Sequence, residues 1–159
     1  MEGFFLFEFS SVTNLIEQKG FFLISFTLKK SLTFGIEVKP SFLLLLNKKS
    51  FVLLKKVFDY FNCGAIKFRR SSGLYFYEIK SISDLVKNFI PHFYNYSLKG
   101  DRLTDFRYFE YICKAVFMNY HRSKLYLPMI IRLAYKMNFP KKRKHTKNKL
   151  LRILNKKMV

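Results

Sequence analysis

Acidic side chains are scarce in this sequence. Ten Asp and Glu stand against thirty Lys and Arg, a formal charge of +20. No acid follows Glu110. That balance points to a polyanionic partner, nucleic acid first and an anionic membrane surface second. Long apolar runs are missing too. The longest, around Ser41 to Leu46, is strand-length and far from the roughly 20 residues of a spanning helix, so no membrane partner is expected. Residues 1 to 9 are aromatic and acidic with no basic leader, which argues against a signal or transit peptide. Cys63 and Cys113 are the only cysteines. They make neither a disulfide framework nor a metal site, and a reducing compartment fits. No nucleotide-binding loop, zinc motif or nucleophile triad is present. His92, His121 and His145 are dispersed and read as structural or surface residues. Trp is absent, while Gly and Ala are few. Phe, Leu, Ile, Lys, Asn and Tyr are abundant, a coding bias of AT-rich genomes such as those of many organelles.

Hydrophobic residues make up 50% of the chain, enough for a real core. The length fits one domain with a tail, residues 1–138 and 139–159. Ser10 or Ser11 can cap a short helix that runs to Lys19. Gly20 is expected to end it in a left-handed turn. From Phe21 to Lys29 the residues alternate with the period of a strand. A second strand is expected over Leu32 to Leu46, with Pro40 marking an edge, bulge or bend. Ser50 suits the cap of a helix with Phe51, Leu54, Phe58 and Phe61 on one face. A hairpin follows, from Ala65 to Arg70 and from Leu74 to Lys80, turning at Ser71-Ser72-Gly73. Ser81 or Ser83 caps a short helix that Pro91 closes, and His92 to Gly100 reads as a connection. Asp101 to about Asn119 is helical. Pro128 suits the first turn of a last helix, with Ile130, Leu133, Ala134 and Met137 facing inward. From Pro140 the chain is a charge run, expected to be solvated, mobile and laid along phosphates. Duplicated helix-strand-strand units followed by helices predict an α+β fold, one antiparallel sheet with helices on one face.

The order of these elements, and the residues in them, resembles the single-motif LAGLIDADG homing endonucleases from about Val12 to Asn138. Leu15-Ile16-Glu17, then Gly20-Phe21-Phe22, carry the motif. Pro40-Ser41-Phe42, Phe61-Asn62-Cys63-Gly64 and Tyr77-Glu78-Ile79-Lys80-Ser81-Ile82 follow in order. Ile90-Pro91-His92-Phe93, Tyr96-Ser97-Leu98-Lys99-Gly100, Asp105-Phe106 and Leu133-Ala134-Tyr135-Lys136-Met137-Asn138 complete the series. The resemblance implies a helix-strand-strand-helix-strand-strand-helix order with a curved antiparallel sheet that straddles double-stranded DNA. It implies pairing of motif helices, in a homodimer for a one-motif chain. It implies Mg²⁺-dependent double-strand cleavage, with the motif's last carboxylate holding the metal. Intron-encoded members of mitochondria or chloroplasts are the expected setting. The alternative within the family is an RNA-binding maturase that assists splicing of its intron. Outside it, a basic protein of another kind is the bland reading.

This copy departs from the pattern where the chemistry sits. The nine-residue motif frame falls on Val12 to Gly20, so the metal-binding carboxylate is replaced by Lys19. A protonated Lys donates and cannot ligate Mg²⁺. Glu17 is acidic but stands about 200° around the helix, a poor substitute. Thr13, Asn14 and Gln18 replace the small residues that let motif helices approach. A polar position at the end of the second strand falls on Leu46, with Asn47 next to it. Of two family lysines near a later helix start, one is Asp101 and the other is Arg102, which keeps the charge. The expected nucleic-acid contacts are Lys67, Arg69 and Lys80 on the hairpin and Lys141, Lys142 and Arg143 in the tail.

Overall fold

The computed structural model describes residues 8–158, so the apolar lead-in lies mostly outside the described residues. Helix α1 (Phe9–Lys19) runs directly into strand β1 (Gly20–Leu28). Strand β2 (Ile36–Asn47), helix α2 (Phe51–Phe61) and the hairpin of β3 (Ala65–Arg69) and β4 (Leu74–Ile79) follow. The rest is helical: α3 (Ile82–Asp84), a π-helical turn over Leu85–Phe89, α4 (His92–Asn95), α5 (Gly100–Phe117), α6 (Tyr126–Ala134) and α7 (Lys147–Met158). The four strands form one antiparallel sheet in the order β1-β2-β4-β3. The α+β expectation holds.

Alternation along the strands decides which face meets the helices. Phe22, Ile24 and Phe26 of β1, Phe42, Leu44 and Leu46 of β2, and Tyr77 and Ile79 of β4 are buried. Their neighbours point the other way and remain partly open. The core is built largely of phenylalanine. The Phe22 ring lies 5.2–6.3 Å from those of Phe42, Phe89, Phe93, Phe106 and Phe109. These rings tie β1 and β2 to the segment after β4 and to α5.

Gly20 ends α1 in extended backbone, φ −88° and ψ 154°, not in a left-handed turn. The position needs glycine for space. A Cβ there would lie 2.8 Å from the Ile16 carbonyl oxygen and 3.0 Å from the Phe42 ring. β2 starts at Ile36 rather than Leu32 because residues 29–35 are a turn, closed by Lys29 N–H to the Gly35 carbonyl at 2.8 Å. Gly35 supplies the positive φ of +72° that the turn requires. Pro40 pairs with Ile24 inside β2, but β4 joins β2 only from Phe42 onward. The strand is locally an edge there, as the missing N–H demands.

The caps differ in part. α1 starts at Phe9 with Glu8 before it, so neither Ser10 nor Ser11 caps it. The Asn47 amide oxygen, not Ser50, caps the turn before α2, accepting the Ser50 N–H at 3.1 Å. Ser81 does cap α3, accepting the Asp84 N–H at 3.3 Å. On α2 the buried face is Leu54, Val57 and Phe61, while Phe51 is exposed. The expected connection after Pro91 begins as a helical turn with His92 and Phe93 buried.

The charged C-terminal run is the largest correction. Residues 147–158 are a helix, and Leu150 and Leu154 are fully buried against the core. Leu151, Ile153 and Met158 pack beside them, and Lys147, Lys149, Arg152, Lys156 and Lys157 are exposed on the other side, which is why charge dominates the sequence there. α6 is therefore not the last helix.

Candidate nucleic-acid interface

The end of α1 is where the catalytic residues were expected. The Lys19 side chain is exposed and makes no hydrogen bond or ion pair among the described residues. Glu17 is turned away from it. Its carboxylate accepts the backbone N–H of Lys99 at 2.7 Å and ties α1 to the start of α5. Arg102 reaches back from α5 in the same region. Its guanidinium donates to the carbonyl of Ile16 at 3.0 Å and to that of Gly20, and lies 5.2 Å from the Phe22 ring centre. A cation on the last carbonyls suits the negative end of a helix. Burial pulls the Arg102 pKa down from its ordinary value, opposed by Asp105 and Glu17. Glu17 and Arg102 thus hold the α1 terminus in place.

The motif frame places Thr13 on the surface of α1 that faces a second motif helix. It is buried instead, while Asn14 and Gln18 are exposed. The Thr13 hydroxyl donates to the Tyr96 carbonyl at 2.7 Å and contacts His92 Nε2 at 2.9 Å. Its one hydrogen is used, so Nε2 must carry a proton and donate to it. His92 Nδ1 then accepts from the Tyr60 hydroxyl at 2.7 Å. This fixes a neutral imidazole, and burial pulls the His92 pKa down to about 4. His92 is structural, as expected, and clasps α1 to α2 and α4.

At the end of β2, Leu46 faces the helices and is buried, whereas Asn47 stands on the other face and is exposed. Strand alternation therefore makes Asn47 the polar residue of the open face at this strand end.

The face of the sheet away from the helices is open. Lys67 and Lys80 both reach Glu78, at 2.5 and 3.4 Å. Arg69 lies over the Phe76 ring at 5.5 Å. Lys39 reaches Glu37 at 3.4 Å. These cations stand around a floor that the sequence reading did not single out, formed by Phe21, Leu23, Leu43, Leu45, Leu74 and Phe76. The signal was present: Phe42 to Leu46 is apolar at five successive positions, so alternation puts apolar side chains on both faces of β2.

Along the outer side of β1, Ser25 and Thr27 share a cavity of about 290 Å³ with Lys141, Lys142 and Lys144. Lys141 and Lys142 are exposed there. Arg143 is not available in the same way. Its guanidinium donates to the carbonyls of Ile24 and Ala134, each at 2.7 Å. It also lies 4.4 and 4.1 Å from the rings of Tyr135 and Phe139. Expected on phosphates, Arg143 instead clips the segment after α6 to the free edge of the sheet.

The family model for LAGLIDADG endonucleases matches residues 14–113. The chain belongs to the LAGLIDADG endonuclease family. Among solved structures, the homing endonuclease I-TnaI has a TM-score of 0.80 at 23% identity, over 94% of this chain and 97% of that one. I-SmaMI bound to cleaved DNA gives 0.81 at 23%, over 94% of this chain and 48% of that one. I-CpaMI bound to uncleaved DNA gives 0.77 at 24%, over 86% and 45%. This LAGLIDADG chain thus spans about half the length of the latter two. No curated protein matches.

LAGLIDADG endonucleases generally use a divalent metal. The residues at the end of α1 in this member do not fit one. Lys19 offers an ammonium, Glu17 is engaged with Lys99, and Arg102 adds a second cation. Among the described residues no group of three or more His, Cys, Asp or Glu could hold a metal ion.

Proposed function

We propose that this LAGLIDADG protein binds double-stranded DNA on the open face of its sheet and does not cut it. Lys19 carries this reading. A protonated Lys cannot ligate Mg²⁺, and its charge repels a divalent cation at the place where the family frame puts a carboxylate. The binding half rests on the family, on the solved relatives whose structures contain DNA, and on the cations around the sheet. Lys67, Arg69 and Lys80 serve one side of the duplex, while Lys141 and Lys142 serve the other. A homodimer through the exposed side of α1 belongs to the same proposal, with Asn14 and Gln18 in the seam. So does an origin as an intron-encoded protein of a mitochondrion or chloroplast, which rests on coding bias.

A second reading, an RNA-binding maturase, is favoured by α7. Lys147, Lys149, Arg152, Lys156 and Lys157 are all exposed on a helix packed against α6. The test is retention of a randomised duplex pool by the purified protein, with structured RNA as competitor. Recovery of a defined duplex site that RNA does not displace supports the DNA reading. Retention of RNA alone overturns it in favour of the maturase. Equal weak binding to both sinks both specific readings.

A further inference from the structure

The centre of the open sheet face is mostly apolar; its polar members are Ser41, opposite Leu23, and Glu78, which lies opposite Leu43 and is already paired with Lys67 and Lys80. Phe21 lies opposite Leu43 across β1 and β2, and Leu45 lies opposite Phe76 across β2 and β4. All four are half-buried on the face away from the helices. Lys39, Lys67, Arg69 and Lys80 stand around them. Adjacent strands are about 4.8 Å apart, so a floor over β1, β2 and β4 is roughly 10 Å wide. The major groove of B-DNA is about 12 Å wide.

In that groove each base pair shows donors, acceptors and, on thymine alone among the four bases, an apolar C5 methyl group. A donor or acceptor pressed against Phe or Leu loses water and gains no partner, which is unfavourable. A methyl group pressed there loses only contact with water, which is favourable. Resting on the duplex-binding reading above, we propose that Phe21, Leu43, Leu45 and Phe76 form a methyl-reading floor. It selects duplexes with thymine at the positions that lie over it. The surrounding cations hold the phosphates, and the floor supplies the choice of base.

The experiment takes the duplex site recovered from a randomised pool and replaces its thymines, one at a time, by deoxyuridine. This removes the methyl and keeps the base pairing. Binding about fourfold weaker for each methyl over the floor is expected. A Leu45→Ser, Phe76→Ser double variant should lose that difference at the thymines over Leu45 and Phe76 and keep it at those over Phe21 and Leu43. If duplex is bound tightly and deoxyuridine makes no difference at any position, the floor does not read methyl groups, although duplex binding stands. If no duplex is retained, both readings fail together. Preference for single strands that disappears in a Phe21→Leu, Phe76→Leu variant overturns the proposal in favour of base stacking. The deoxyuridine comparison uses the unaltered protein, so it decides the question even if the double variant does not fold.

Discussion

The carboxylate of Glu17 accepts the backbone N–H of Lys99 at 2.7 Å, joining residues 82 positions apart. One turn of helix therefore holds both a structural carboxylate and, two residues on, an exposed ammonium. The two positions cannot exchange roles without moving α5. Glu17→Gln keeps an acceptor but removes its charge, and should lower stability by about 1 kcal/mol. Chemical denaturation measures it. A larger loss of DNA binding than of stability would show that Glu17 has a further role.

His92 sets a pH dependence. Its pKa is pulled below the ordinary 6.5 to about 4 by burial, so between these values the unfolded chain binds the extra proton. Stability therefore rises with pH across that window and falls as the pH drops from 6.5 towards 4. Burial pulls the pKa values of His121 and His145 down as well, which adds slope of the same sign. A His92→Phe variant should be less stable at pH 7, because Thr13 and Tyr60 lose a partner, and should show a shallower pH slope. Unfolding midpoints from pH 4 to 8 report both. An unchanged slope would contradict the buried neutral imidazole.

The charge run is part of the core. Leu150→Ala or Leu154→Ala should cost about 2–4 kcal/mol, whereas Lys156→Ala on the exposed side of α7 should stay within about 0.5 kcal/mol. Thermal unfolding of the three variants is enough. Leucine variants as mild as the lysine variant would mean that the helix does not dock in solution.

Arg143 and its neighbours separate structure from binding. Arg143→Lys cannot reproduce two carbonyl bonds and two stacked rings, so it should destabilise nearly as much as Arg143→Ala, by about 2 kcal/mol. Lys141→Ala and Lys142→Ala should leave stability unchanged. Each should reduce the slope of log binding constant against log salt by about 1.

The strands and the family were legible because β1 and β2 are rich in Phe, Leu and Ile at strand length and because the motif frame keeps Leu15, Ile16 and Gly20. Other features depended on space rather than pattern. Gly20 resembles a left-handed helix stop in sequence, but contact with Ile16 and Phe42 is what demands it. Leu150 and Leu154 are spaced as a helix face, yet the lysines around them dominate any reading by charge. Arg143 looks like one more cation in a run until the Ile24 carbonyl, 119 residues away, is brought against it. The turn at Gly35 set the start of β2. Alternation within β2, rather than the motif spacing, gave the open face to Asn47 instead of Leu46.

Incubating the purified protein with its recovered duplex site and Mg²⁺ shows directly whether Lys19 silences cleavage. The duplex should be bound and should remain uncut at every Mg²⁺ concentration. Double-strand cleavage by the unaltered protein would contradict it, because a metal would then be held beside the ammonium of Lys19.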